Sequence, residues 1–213
     1  GVVDNTGRIV SGDLLLLIFA LDILKKKNNS VIIGDVKCSQ ILFDQVKKFG
    51  GKAVMSKTGH SLIKNAMKME SADLAGEMSG HMFFADEYYG FDDALYASVR
   101  LINILSKSNK KLSELLDEIP KLYNTPEIRI DCEDDEKFKI IEKIIFNQKN
   151  KNSNNIDGIR VLSKNGWWLM RASNTQPAIV LRCEANSEEN LKLILEEVKN
   201  EIKLVSPQIS LQI

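Results

Sequence analysis

Three short segments place polar side chains at spacings that suit recognition of a small, polyhydroxylated anion. They are Asp35-Val-Lys37, Lys57-Thr-Gly-His60 and Gly76-Glu-Met-Ser-Gly-His81. Together they offer a ligand two ammonium groups (Lys37 and Lys57), two imidazoles, a carboxylate and a hydroxyl. Glu77 can accept hydrogen bonds from sugar hydroxyls, Ser79 can donate or accept, and lysine offsets phosphate charge. His60 and His81 are the two histidines of the chain, and both fall in these segments. Taken singly, each residue also has a structural reading. His60 could sit beside a helix cap, Lys37 could be a solvated lysine, and Gly76 and Gly80 could permit a tight turn. Cys38 reads as packing rather than as a reactive thiolate. The coincidence of three segments is what favours a ligand site.

A fourth segment, Arg171-Ala-Ser-Asn-Thr-Gln-Pro177, lies between apolar runs. Arginine is scarce, six residues against 23 lysines, and its planar fork holds phosphate bidentately where lysine acts as a point charge. Ser173, Asn174 and Thr175 add hydroxyl, amide and backbone donors. A phosphate cradle and a plain hairpin turn, in which these residue types are common, are equally consistent with that composition. Trp167 and Trp168 alternate across a strand, which predicts one ring in the core and one partly exposed, the latter a weak candidate for stacking on sugar.

These segments need elements to hold them. Ser11-Gly12-Asp13 before an apolar run, with Lys25 to Lys27 at its end, predicts a buried helix over about 13–26. Short strands are expected at 31–33, 53–55 and 74–75, with helices at 39–49, 61–69 and about 92–106. Alternation of this kind favours parallel βαβ units flanked by helices, a three-layer α/β domain. In such a sheet ligands bind beyond the carboxyl ends of the strands, where all three polar segments fall. A short helix and the proline-bearing stretch 119–126 then suit a connector. Beyond it the pattern predicts a strand at 127–131, a helix at about 135–146, strands at 158–162, 167–171 and 178–184, and a helix at 187–203. That is a smaller α+β domain with a mainly antiparallel sheet. The expected domains are 1–122 and 123–213, and residues 147–155 read as a mobile, polar, low-complexity loop without function.

Composition narrows the function. The 213 residues are 44% hydrophobic and 27% charged, the mix of a globular protein. Lys plus Arg and Asp plus Glu are both 29, without bias between the halves, which argues against a nucleic-acid or polybasic membrane surface. The longest apolar run ends at Asp22, too short to span a bilayer. Cys38, Cys132 and Cys183 are odd in number and widely spaced, as expected of reduced thiols in a cytoplasmic protein without a zinc site. The start at Gly1 reads as the inside of a structural element, and hence as a fragment.

On Gly76-Glu-Met-Ser-Gly-His81, Lys57-Thr-Gly-His60, Asp35-Val-Lys-Cys38 and Arg171-Ala-Ser-Asn-Thr-Gln-Pro177, with Gly90-Phe-Asp-Asp93 after the sugar loop, the chain resembles the phosphomannomutase/phosphoglucomutase branch of the α-D-phosphohexomutase superfamily. The resemblance covers essentially the whole chain. It implies the C-terminal half of an enzyme with four domains around one cleft, which interconverts mannose or glucose 1-phosphate and 6-phosphate through a bisphosphate. Residues 1–122 would be the sugar-reading third domain and 123–213 the phosphate-gripping fourth. Glu77 and Ser79 would bind sugar hydroxyls, and Arg171, Ser173, Asn174 and Thr175 the phosphate not being transferred. Lys37, His60 and His81 would line the reaction centre, with His81 or His60 moving the proton of the attacking or leaving hydroxyl. The family's phosphoserine and its Mg²⁺ loop belong to the N-terminal domains, so this chain is expected to hold no metal and to be inactive alone. A phosphoglucosamine mutase fragment and a stand-alone, non-catalytic phosphosugar-binding module are the alternatives.

Overall fold

The structure, a computed structural model, describes residues 1–149 and 152–209. It divides into two compact units, Gly1–Pro120 and Lys121–Ile213.

The first unit opens on a hairpin of β1 (Val2–Val3) and β2 (Ile9–Val10). There follow α1 (Gly12–Lys26), β3 (Val31–Asp35), α2 (Gln40–Lys48), β4 (Lys52–Ser56), α3 (His60–Glu70) and β5 (Leu74–Gly76). The unit ends with β6 (Met82–Phe84), α4 (Ala94–Lys107) and α5 (Leu112–Asp117). The sheet order is β4-β3-β5-β6, with β3 parallel to β4 and β5 and only β6 antiparallel. Helix α1 is buried along Leu15 to Ala20, as its almost continuous apolar sequence requires. Successive strand residues face opposite sides. Ile33, Ala75 and Phe83 meet Ile63 and Met67 of α3, while Ile32 and Leu74 turn to the other face, where α1 and α2 pack together. This is a three-layer α/β unit.

Besides the unanticipated β1–β2 hairpin, two features of this unit depart from the sequence expectation. Strand β6 is additional: Met82-Phe-Phe84 is a three-residue buried run, too short to signal itself by alternation. It makes the Gly76–His81 segment a hairpin connection at the sheet edge. Helix α4 starts at Ala94 rather than Asp92, because Asp93 is its N-cap and accepts a hydrogen bond from Tyr96 N at 2.9 Å.

The second unit is antiparallel throughout. It comprises β7 (Tyr123–Asn124), β8 (Ile128–Asp131), α6 (Asp134–Asn147), β9 (Ser153–Asn154), β10 (Ile159–Ser163), β11 (Gly166–Ala172), β12 (Ala178–Ala185) and α7 (Glu188–Val205). The order is β7-β12-β11-β10-β9, with β8 also on β12. Trp168, Met170, Leu181 and Cys183 form a core with Ile140, Ile144, Ile194 and Val198 of the two helices. Both tryptophans are buried, contrary to the expectation of one exposed ring. Trp168 faces the helices, whereas Trp167 is covered by the Arg160 guanidinium 3.6 Å from its ring centre and donates to Glu184 at 2.7 Å. No stacking face is left for a sugar. Part of the expected connector is strand β7, which pairs with Glu184 and Ala185. Likewise the expected polar loop contains an edge strand, Ser153–Asn154 paired with β10; its residues 150–151 lie outside the described residues.

Candidate functional site

At the carboxyl ends of β3, β4 and β5 the three polar segments of the first unit meet. Asp35, the last residue of β3, is fully buried and gathers hydrogen bonds from all three. Its carboxylate accepts from Cys38 Sγ (3.1 Å) within its own loop, from Thr58 Oγ1 (2.9 Å) after β4, and from Met78 N (3.2 Å) after β5. Burial pushes the Asp35 carboxyl up from the usual range, opposed by the Cys38 hydrogen bond, the Lys37 charge and the donors from Met78 and Thr58. The thiol of Cys38 is therefore a buried hydrogen-bond donor, consistent with its packing reading.

Glu77 ties the second and third segments together. Its Oε1 accepts from Gly59 N at 2.8 Å and its Oε2 from Ser79 Oγ at 3.1 Å. The side chain is buried while Ser79 is exposed. Gly59 takes φ 131° as N-cap of α3, and Gly80 takes φ 99° in the loop, conformations a side chain would oppose. Gly76 is not at positive φ; instead a Cβ there would come within 3.1 Å of Met82, Leu16 and the His81 carbonyl.

The two histidines become neighbours. His60 opens α3 and His81 closes the β5–β6 connection, and their rings pack edge to face with centres 4.2 Å apart. Both address one carboxylate oxygen: Asp92 Oδ2 lies 2.8 Å from His81 Nδ1 and 3.3 Å from His60 Nε2. Roughly half of each imidazole side chain remains exposed. Sequence reasoning missed Asp92 by assigning it to the helix. The signal was the doublet Asp92-Asp93, of which only one can cap α4; the other is released to the histidines and pinned by a backbone bridge to Phe83. Lys37 is buried beside Asp35, unlike a solvated lysine, whereas Lys57 is exposed.

In the second unit, the β11–β12 connection is both a hairpin turn and a cluster of donors. Arg171 is buried, and its Nε donates to Asp157 Oδ2 at 3.0 Å, while Nη2 has no hydrogen-bond partner among the described residues. Ser173 Oγ accepts from Thr175 N (3.3 Å) and Gln176 N (3.2 Å), shaping the loop; Asn174 and Thr175 are exposed. Gln176 is held by Arg129 and by Lys137 Nζ on its carbonyl. Asp157 is a second residue missed from sequence. It precedes Gly158, at φ 74°, where a Cβ would stand 2.3 Å from Met170 O and 2.6 Å from Arg171. An Asp-Gly pair before a strand was the available signal for a close backbone approach.

Comparison with known proteins assigns both units. Residues 11–123 match the family model described as phosphoglucomutase/phosphomannomutase, alpha/beta/alpha domain III, and residues 127–201 match phosphoglucomutase/phosphomannomutase, C-terminal domain. A phosphomannomutase/phosphoglucomutase of Pseudomonas putida is 46% identical over 99% of this chain and 46% of its own length. The crystal structure of a phosphoglucomutase/phosphomannomutase family protein from Burkholderia thailandensis superposes with a TM-score of 0.92 at 39% identity, over 100% of this chain and 46% of that one. A more distant match in fold alone is the N-acetylphosphoglucosamine mutase of Aspergillus fumigatus solved with GlcNAc-6P and magnesium (TM-score 0.67, 15% identity, 95% of this chain and 46% of that one). The chain thus spans about half the length of the relatives it matches, and it belongs to the phosphoglucomutase/phosphomannomutase family.

Proposed function

We infer that this chain is the sugar- and phosphate-recognising half of a hexose phosphomutase that interconverts the 1- and 6-phosphates of mannose or glucose. In this reading residues 1–122 are the family's third domain and 123–213 its fourth. The observation that carries it is the rim of the first unit, where Glu77, Ser79, Lys37 and two imidazoles share one strand-end surface. Glu77 keeps unused lone pairs on both oxygens after its bonds to Gly59 and Ser79, enough to accept from two sugar hydroxyls. Lys37 supplies positive charge to a phosphoryl group. His60 and His81 share Asp92 as a partner, which holds both rings in place where an imidazole could take a hydroxyl proton. Arg171, Ser173, Asn174 and Thr175 are the phosphate grip, and a phosphate oxygen would supply the acceptor that Arg171 Nη2 lacks.

Magnesium, expected for the family, is not suited by the donors present. The one group of His, Cys, Asp and Glu ligand atoms found close together among the described residues is His60, His81 and Asp92. Mg²⁺ demands octahedral oxygen coordination. Mg²⁺ and the phosphoryl donor then fall to the N-terminal domains, the chain's expected partners. Phosphoryl transfer depends on charge neutralisation and positioning, so this half alone should bind hexose phosphate weakly and turn nothing over. A cytoplasmic setting accords with the free cysteines and with the absence, among the described residues, of a helix long and apolar enough to cross a membrane.

Calorimetry with glucose 1-phosphate and mannose 1-phosphate tests the recognition, and a glucose 1-phosphate to 6-phosphate assay tests the chemistry. Binding that weakens about tenfold in Glu77→Gln supports the sugar contact, since a hydrogen bond to a charged group contributes about 1.5 kcal/mol or more. Turnover by the isolated chain would refute the division of labour, and absence of any phosphosugar binding would refute the recognition role.

A further inference from the structure

We propose that His60, His81 and Asp92 form a binding site for a divalent transition ion of the zinc type. The sequence expectation was that this chain holds no metal, and the juxtaposition of these three side chains argues otherwise. One ring nitrogen of His60, one of His81 and a carboxylate oxygen of Asp92 all lie within 4.8 Å of one another. Two atoms bound to one zinc ion at about 2.0–2.1 Å are about 2.9–3.4 Å apart across octahedral to tetrahedral angles. The distances of Asp92 Oδ2 from the two ring nitrogens, 2.8 and 3.3 Å, already lie close to that span. The two ring nitrogens, within 4.8 Å of each other, close toward that span when an ion enters.

The backbone holds the three residues from separate segments. Gly59, directly before His60, is tied to Glu77, and the His81 carbonyl accepts from Glu77 N at 3.0 Å. Asp92 is bridged to Phe83, and the His60 ring also packs edge-on against Phe83 with centres 5.5 Å apart. The ligands are thus arranged before any ion arrives, as a site on rigid elements requires. The side chains of His60, His81 and Asp92 are 48%, 44% and 24% exposed, so an ion has an open approach and water can complete its shell. Two imidazole nitrogens and one carboxylate oxygen suit Zn²⁺, Co²⁺, Ni²⁺ or Cu²⁺ and discriminate against Mg²⁺.

An ion bound at the ring nitrogens that face Asp92 moves each ring's proton to its other nitrogen, which then has no lone pair to accept a hydroxyl proton, so the filled site and proton transfer exclude each other. That consequence rests on the function inferred above; the binding itself does not. Zinc as Zn²⁺ alone, titrated into the full 213-residue chain against a chromophoric chelator, should show one saturable equivalent that a hundredfold excess of Mg²⁺ does not displace. His60→Asn, His81→Asn and Asp92→Asn, each checked for folding by far-UV circular dichroism, should each weaken it at least tenfold. In the unsubstituted chain, imidazole nitrogen NMR should shift at both His60 and His81 in step with the titration. No one-equivalent binding, unchanged affinity in all three variants, or unmoved imidazole resonances would overturn the site. Phosphosugar binding by the same chain is measured separately: if it persists while zinc fails, the metal site falls and the recognition role stands.

Discussion

The two polar loops of this chain are assembled by opposite means. The rim of the first unit draws on residues 35, 58, 59, 77–81 and 92, brought together because parallel strands all end at one edge. Its cohesion comes from buried carboxylates, Asp35 and Glu77, that accept from the backbone and side chains of neighbouring loops. The 171–177 loop of the second unit is one contiguous antiparallel hairpin. It shapes itself through Ser173, while Asp157 holds Arg171 and Arg129 and Lys137 hold Gln176 from outside. The rim should therefore break when backbone packing far away in sequence is disturbed, and the hairpin when a side chain within it is cut.

Gly12→Ala should have the largest effect. A Cβ at the first residue of α1 would stand 2.6 Å from Gly80 N and Met78 O and 2.7 Å from Glu77 O, all backbone atoms. Rotamer changes cannot relieve such contacts, so the helix and the Glu77–Gly80 loop must part. A loss of about 3 kcal/mol, the upper end of ordinary overpacking, is expected in urea unfolding, together with loss of phosphosugar binding. Gly80→Ala, 68 residues later in the same seam, has nothing within 4 Å of its Cβ and bears only its φ of 99°. It should cost about 1–2 kcal/mol, the left-handed strain. Equal costs for the two would mean that the loop yields freely, and the contrast with the hairpin would fail.

The hairpin is tested in place. Arg171→Ala should weaken glucose 6-phosphate binding by about 10- to 150-fold, equivalent to about 1.5–3 kcal/mol for a hydrogen-bonded charge, as read by calorimetry. Ser173→Ala removes the acceptor of Thr175 N and Gln176 N. It should lower stability by about 1 kcal/mol and affinity by a few-fold, because Arg171 remains braced by Asp157. Unchanged affinity in Arg171→Ala would remove the phosphate grip altogether.

Much of the scaffold was legible in the sequence for identifiable reasons. Helix α1 signals itself through an unbroken apolar stretch and terminal lysines, although Ser11 at its N-cap makes no side-chain capping bond, and the strand–helix alternation places three polar segments at one sheet edge. The short pieces were illegible: β6, β7 and β9 have three residues or fewer, and pairing partners rather than pattern define them. Trp167 misled because a strand's alternation says which face a ring takes, not whether arginines cover that face. Asp92 and Asp157 were missed for a common reason. Each acts on a residue distant in sequence, His81 or Arg171, and only the folded geometry reveals that partnership.

The smallest effect concerns the carboxylates that distinguish the first unit. Asp4, between β1 and β2, accepts from Thr6 N (2.8 Å), Thr6 Oγ1 (2.7 Å), Arg8 N (3.0 Å) and Arg8 Nε (2.9 Å). Arg8 in turn reaches Asp117 and the Ser113 carbonyl at α5. These donors, the Thr6 hydroxyl foremost, hold the Asp4 carboxyl well below the usual carboxylate range. A carboxyl lowered in the folded state stabilises fully above its unfolded value of about 3.9, and that stabilisation drains away as pH falls toward the folded value. Asp35, raised by burial, carries the opposite sign: its contribution is present at low pH and is lost as pH rises through its folded value. Asp4→Asn should therefore lower the thermal midpoint by a constant amount between pH 7 and about pH 5. The gap to the unsubstituted chain should then narrow below about pH 4, as the unfolded Asp4 takes up a proton that the folded carboxyl still refuses. A gap that stays constant down to about pH 2.5, well below the unfolded value, would mean that the donors around Asp4 favour no protonation state.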